Sequence, residues 1–185
     1  KNMTEIKNSQ KNKIRICHFN ILRGGEDRIN LIFKTIQKIN PDICGILEAV
    51  GWQDDEGKFI NIGKKIGYSF FYLAVANSKY NIAVYSKIPL QFKSIKNGFK
   101  HVVLEAVVES GPFQDLNVFF VHLSPESEKA RIKEVEILSK YVKELSNTII
   151  MGDFNSLSHH DPHDQEKLLS SFKENNIIKY GTKKL

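Results

Sequence analysis

The stretch IIMGDFNS, residues 149–156, is an apolar run that ends in a carboxylate and an amide flanking one aromatic ring. A short apolar run ahead of polar residues reads as a buried strand arriving at the end of a sheet. In an alternating strand Asp153 and Asn155 lie on one side and Phe154 on the other, so both polar groups face a cleft while the ring packs inward. Three other apolar runs end in the same way: IRICHF before Asn20, ICGIL before Glu48 and LNVFFV before His122. Open α/β sheets place ligands at the C-terminal ends of their strands. The four ends are therefore read together.

Around them, short apolar runs alternate with amphipathic segments, without internal repeats or a dividing linker, which is an α/β pattern. A chain of 185 residues at 41% hydrophobic can bury one substantial core. Residues 1–12 are polar and Lys/Asn-rich and are expected to be a loose tail ahead of one domain over 13–185. Strands are expected over 14–21 and 43–48 and near 69–75, 81–86, 101–109 and 115–122. Helical spacing of Ile29, Ile32, Phe33, Ile36 and Ile39 predicts a helix over about 28–39, with Asp27 as N-cap and Asn40-Pro41 as the stop. A second helix is predicted after His122, with Ser124 as N-cap, Pro125 at the first turn and Glu126 against the positive end of the dipole. Val135, Leu138, Val142 and Leu145 would trace its buried face.

The 27 basic residues exceed the 21 acidic ones, giving a formal charge of +6. The excess is spread along the chain as Lys and reads as a solvated surface that mildly favours an anionic partner. Cys17 and Cys44 each sit in an apolar run and are expected to be buried, reduced thiols, which places the protein in the cytoplasm. No run approaches the ~20 apolar residues of a membrane span, and KNMTEIKNSQKNK has no signal-peptide core.

The chemistry of the strand ends is that of a phosphate and metal cleft. Hard divalent cations such as Mg²⁺ take one or two carboxylates plus water and substrate phosphate, and Glu48 is a fitting ligand. An imidazole and two amides beside it can orient water and hydrogen-bond phosphate oxygens as charge develops. Singly, an Asp or Asn after a strand is as readily a turn residue or helix cap.

In order along the chain, FNI at 19–21, ILE at 46–48, YNIAVYSKIPL at 80–90, VHLSP at 121–125 and GDFN at 152–155 resemble the endonuclease/exonuclease/phosphatase superfamily. The resemblance implies the DNase I-like fold, an α/β four-layer sandwich of two β-sheets with outer helices, and a Mg²⁺-dependent phosphoesterase, with Mn²⁺ as the alternative metal. It implies that Asn20 helps position metal and phosphate, Glu48 binds the metal and His122 donates to the phosphate. Asp153 and Asn155 would align the attacking water and steady a phosphate oxygen. Asn81 is a candidate substrate contact facing the cleft. Arg131 reads as a surface ion pair, with a phosphate contact as the alternative. The substrate is expected to be a phosphoester, with DNA and RNA among the candidates.

Members of the superfamily also carry a later strand ending in an Asp-His pair, whose His acts as general base. After GDFN this sequence reads SLSHHDPHDQEKLLSSFKENNIIKYGTKKL, which resembles only the loop and helix that precede that strand. General-base catalysis contributes ~100 to 10,000-fold, so a chain without the pair is expected to be crippled in hydrolysis. A cleaved chain, a piece supplied by another chain and a non-catalytic binding module are the readings left open. HHDPHD at 159–164 matches no zinc spacing and reads as a polar loop. His18 and His101 read as ordinary strand residues.

Overall fold

The computed structural model describes residues 13–156 and 166–167. The expected tail over 1–12 and HHDPHD at 159–164 lie outside them. Two four-stranded sheets face one another. The first contains β1 (Ile16–Asn20), β2 (Ile43–Leu47), β3 (Phe70–Ala74) and β4 (Ile82–Ser86) in the order β1-β2-β4-β3. The second contains β5 (Leu90–Ile95), β6 (Val103–Val108), β7 (Asn117–His122) and β8 (Thr148–Asp153) in the order β5-β6-β7-β8.

In each sheet one pair is parallel, β1 with β2 and β7 with β8, and the other pairs are antiparallel. Parallel neighbours need a crossover, and helices supply both: α1 (Ile29–Ile39) and α3 (Glu128–Val142). Between β2 and β3 lies α2 (Glu56–Lys65).

Three apolar clusters define four layers. Ile43, Leu47, Ile82 and Val84 meet Leu104, Val118 and Phe120 between the sheets. Phe33 and Ile36 of α1 and Phe59 of α2 close over Cys44, Ile46, Ala83 and Tyr85 on the outer face of the first sheet. Leu138 of α3 covers Val103, Phe119 and Val121 on the outer face of the second. The central strands β2 and β7 are buried along their whole length, as their unbroken apolar sequence requires. At Gly45 the sheets pack tightly, since a Cβ there would lie 2.2 Å from the Phe120 ring. No helix among the described residues is long and apolar enough to cross a membrane.

Several local expectations are corrected. The strand β5, LQFKSI, carries Gln91, Lys93 and Ser94 at a sheet edge, and this polarity hid it. Two glycines mask α2 in EGKFINIGKK, yet Gly63 is required because a Cβ would lie 2.4 Å from the Tyr85 ring. Asp27 does not cap α1. It lies in a 3-10 stretch, Arg23–Arg28, and the helix starts after Arg28 without a side-chain cap.

The helix α3 starts three residues later than expected, on Ser127, whose side chain accepts from the Ala130 N–H. Its buried positions are Glu134 and Leu138, with Ile137 and Val142 packed beside them, while Val135 and Leu145 are exposed. Phe154 does not pack inward and is 40% exposed, because the strand ends at Asp153 and Asn155 turns into the left-handed region at φ 48°. Cys17 and Cys44 are free and face each other across β1 and β2, 3.5 Å apart.

Candidate active site

The two parallel pairs set the site. Their edge strands β1 and β8 lie side by side across the sandwich, so Asn20, at the end of β1, reaches from one sheet to the other. Its Nδ2 donates to Glu48 Oε1 and to Asp153 Oδ2, each at 3.0 Å, and its Oδ1 accepts from the Leu22 N–H at 3.0 Å. One amide thus holds two carboxylates from different sheets beside each other.

Glu48 follows β2 and is 8% exposed. Its Oε2 accepts from the Arg23 N–H at 2.9 Å, and its carbonyl accepts from the N–H groups of Gly24 and Val50, each at 2.7 Å. Its φ of 61° is positive, as are those of Leu22 (52°) and Arg23 (50°) opposite it. Such backbone costs of order 1–3 kcal/mol per non-glycine residue and persists where surrounding bonds over-determine it, as they do here.

Asp153 ends β8 in register with His122 of β7. The preceding Gly152 has φ 149°, and a Cβ there would lie 1.9 Å from the Val121 carbonyl oxygen. The strand can approach β7 this closely only with glycine at that position. Asp153 Oδ1 accepts from the Asn155 N–H at 2.8 Å, and Asn155 Nδ2 donates to the Leu123 carbonyl at 2.7 Å. Asn155 therefore stands over the end of β7, with Asp153 fixed beneath its backbone.

His122 is 4% exposed, and its Nδ1 is buried without a hydrogen-bond partner. Burial pulls its pKa below the usual imidazole range, against the opposing pull of Asp153, Glu48 and Glu134. The ring is stacked on His101, with centroids 4.5 Å apart and planes at 29°. Tyr80 stands edge-on to both rings, at 5.2 Å from His101 and 5.9 Å from His122. His101 is not the ordinary strand residue expected. It precedes β6, is 1% exposed and receives or gives a 2.7 Å bond at Nδ1 with Ser78 Oγ. Burial, with His122 and Lys100 nearby, pushes its pKa down to about 4.

Asn20, Glu48, His122, Asp153 and Asn155 are thus brought to one end of the sandwich, as the strand-end reading expects. Asn81 is not placed as an open contact. It is 1% exposed, and its amide is spent on the Ala49 carbonyl, Gln53 Oε1 and the Ala76 N–H. It braces the turn after Glu48 from behind. Arg131 forms no ion pair among the described contacts; its Nη1 donates to the Ser124 carbonyl at 3.3 Å and its Nε is buried without a partner. His18 lies in β1 and feels the Asp153 charge, though burial dominates and lowers its pKa.

Among the described residues no three His, Cys, Asp or Glu side chains are grouped to cage a metal by themselves. The donor set present, Glu48 and Asp153 tied by one amide, fits a cation that needs one or two carboxylates and completes its shell with water and substrate oxygens. Mg²⁺ and Mn²⁺ are cations of that oxygen-preferring kind.

Solved structures share this architecture. ANGEL2, a 2',3'-cyclic phosphatase, superposes with a TM-score of 0.63 at 17% identity, over 88% of this chain and 56% of that one. An AP endonuclease from Archaeoglobus fulgidus matches with a TM-score of 0.61 at 18% identity, over 84% of this chain and 63% of that one. An endonuclease/exonuclease/phosphatase from Beutenbergia cavernae DSM 12333 matches with a TM-score of 0.60 at 18% identity, over 87% and 53%. The chain therefore spans little more than half of the first of these structures. No curated protein matches it in sequence. Residues 17–171 match the Endonuclease/Exonuclease/phosphatase family, a family of phosphoesterases that are typically metal-dependent, and with the DNase I-like sandwich and its strand-end cluster in view, this chain belongs to that family.

Proposed function

We propose that this chain provides the metal and phosphate site of a phosphoester hydrolase in which water attacks phosphorus in line with the leaving oxygen. The observation that carries the reading is the Asn20 amide, which clasps Glu48 and Asp153 from opposite sheets. Two carboxylates side by side repel each other, and a shared donor with a divalent cation resolves that repulsion. A bound Mg²⁺ would supply charge neutralisation on the phosphoryl oxygens.

The protein's own groups do the rest. Glu48 and Asp153 would hold the cation, and Asn20 keeps their spacing. His122, kept neutral by burial, has one N–H to give to a phosphate oxygen as negative charge grows there. Asp153, braced by the Asn155 N–H, orients the attacking water. The +6 formal charge favours a polyanionic phosphodiester such as nucleic acid over a neutral-headed ester.

The test is hydrolysis of DNA, RNA and small phosphoesters with Mg²⁺ or Mn²⁺, run on this chain and on a version extended by whatever sequence follows Leu185 in its reading frame. Glu48→Gln and Asp153→Asn each should lower the rate by about 100-fold or more. Inactivity of the extended chain on every substrate, together with no Mg²⁺ binding by calorimetry, would overturn the reading.

A further inference from the structure

A carboxylate buried in the α3 face has no place in the chemistry above. Glu134 is 3% exposed and occupies the centre of the helix surface that packs on the second sheet. An apolar side chain there would cover the sheet without the several kcal/mol that desolvating a carboxylate costs. Its two oxygens accept from two backbone N–H groups that belong to different segments: Oε1 from Lys100 at 2.6 Å and Oε2 from Ser124 at 2.7 Å. Lys100 immediately precedes His101, and Ser124 follows His122 by two residues.

The separation of these two segments is therefore set by the span of one carboxylate. What it sets is the meeting of the two imidazoles, stacked with centroids 4.5 Å apart and planes at 29°. The same helix holds the Ser124 peptide from its other side, through the Arg131 bond to the Ser124 carbonyl. Beyond the pair, Ser78 Oγ accepts from the Tyr80 N–H at 3.1 Å and is bonded to His101 Nδ1, so the loop that carries Tyr80 is tied to the same stack. The Asn77 side chain donates to the carbonyls of Lys96 and Phe99, closing that loop onto the segment before His101.

We propose that Glu134 is a positioning residue: by binding the Lys100 and Ser124 amides together, it fixes the His101–His122 stack and with it the direction in which His122 faces the cleft. The kinetic consequence rests on the phosphoesterase reading; the geometric one does not. Glu134→Gln is the decisive variant because it keeps shape and volume. A carboxamide has one acceptor oxygen and one donor nitrogen, so it must turn a donor toward one of the two N–H groups.

The experiment reads His122 and His101 by ring ¹H–¹⁵N spectra and the Lys100 and Ser124 amides by hydrogen exchange. Leu138→Ala, one turn along the same buried face, is the control for lost packing. Glu134→Gln should move both ring signals and remove protection of one of the two amides, the one left facing the carboxamide nitrogen, and where the protein hydrolyses phosphoesters it should lower kcat by ~10–100-fold with KM changed less. Leu138→Ala should lower Tm and leave the ring signals in place.

A lower Tm in Glu134→Gln with unmoved His122 signals overturns the proposal and leaves Glu134 a packing residue. Moved ring signals in a protein that cleaves no phosphoester uphold the positioning and refute the phosphoesterase reading. Should Glu134→Gln fail to fold, the unsubstituted protein decides: fast exchange at Lys100 and Ser124 overturns the proposal, and slow exchange with downfield amide shifts at both supports it.

Discussion

Two strand-helix-strand crossovers, β1-α1-β2 and β7-α3-β8, do corresponding jobs in the two sheets, and they are held by different physics. Each joins a parallel pair, and each ends on a carboxylate of the candidate site, Glu48 or Asp153. In the first, α1 is fastened by apolar burial: Phe33 and Ile36 are buried, and Phe33 stands edge-on to Tyr85 at 5.5 Å and is stacked against Trp52 at 6.2 Å. In the second, α3 buries only Glu134 and Leu138, while Ile132, Val135 and Tyr141 are exposed. Apolar burial is strong but has no direction, so the first crossover supplies stability. Hydrogen bonds to a carboxylate are directional and short, so the second supplies placement of the imidazoles.

The contrast can be broken most forcefully at Phe33. Phe33→Ala should cost about 3–5 kcal/mol of stability, measured by urea unfolding, with hydrolysis per folded molecule retained at temperatures where the protein remains folded. A loss of activity in that folded fraction would mean that α1 also positions the cleft.

Acid should attack the imidazole stack that His101 forms with the end of β7. His101 has a folded pKa of about 4 against an ordinary 6.5. The unfolded chain therefore binds the proton more readily between those values, and stability rises with pH across that window. It is fully present above about pH 6.5 and lost as pH falls toward 4. The loss is of order 3 kcal/mol at most, and His101→Phe should flatten it in unfolding curves taken from pH 7 to 4.

The smallest effect is expected at Val135, read from helical spacing as a core residue and found 46% exposed. Val135→Lys should change stability by no more than about 0.5 kcal/mol. A change of several kcal/mol would restore the original assignment of the buried face and remove Glu134 from its central place.

The same contrast explains what the sequence revealed. Strands β2 and β7 were legible because burial on both faces writes an unbroken apolar run, and the polar residue at the end of each run then marks the candidate site. Helix α1 was legible because apolar burial writes a period. Helix α3 was misread in its start and face because its central buried residue is charged. Periodicity counts Glu134 as solvent-facing, and only the two backbone donors, distant in sequence, make it an interior residue. His101 was missed for a related reason. Nothing adjacent to it signals function, and its stack with His122 arises from a pairing across separate segments. Asn81 shows the reverse: a polar residue before a core strand suggested a cleft contact, whereas its amide braces the turn behind Glu48.

The left-handed backbone at Glu48 carries a consequence for any attempt to harden this protein. At φ 61° a glycine would be more comfortable than glutamate, and it would also remove a carboxylate drawn against a second carboxylate. A screen that rewards heat resistance alone should find position 48 early, and each winner there would lack the carboxylate that the Asn20 amide holds beside Asp153.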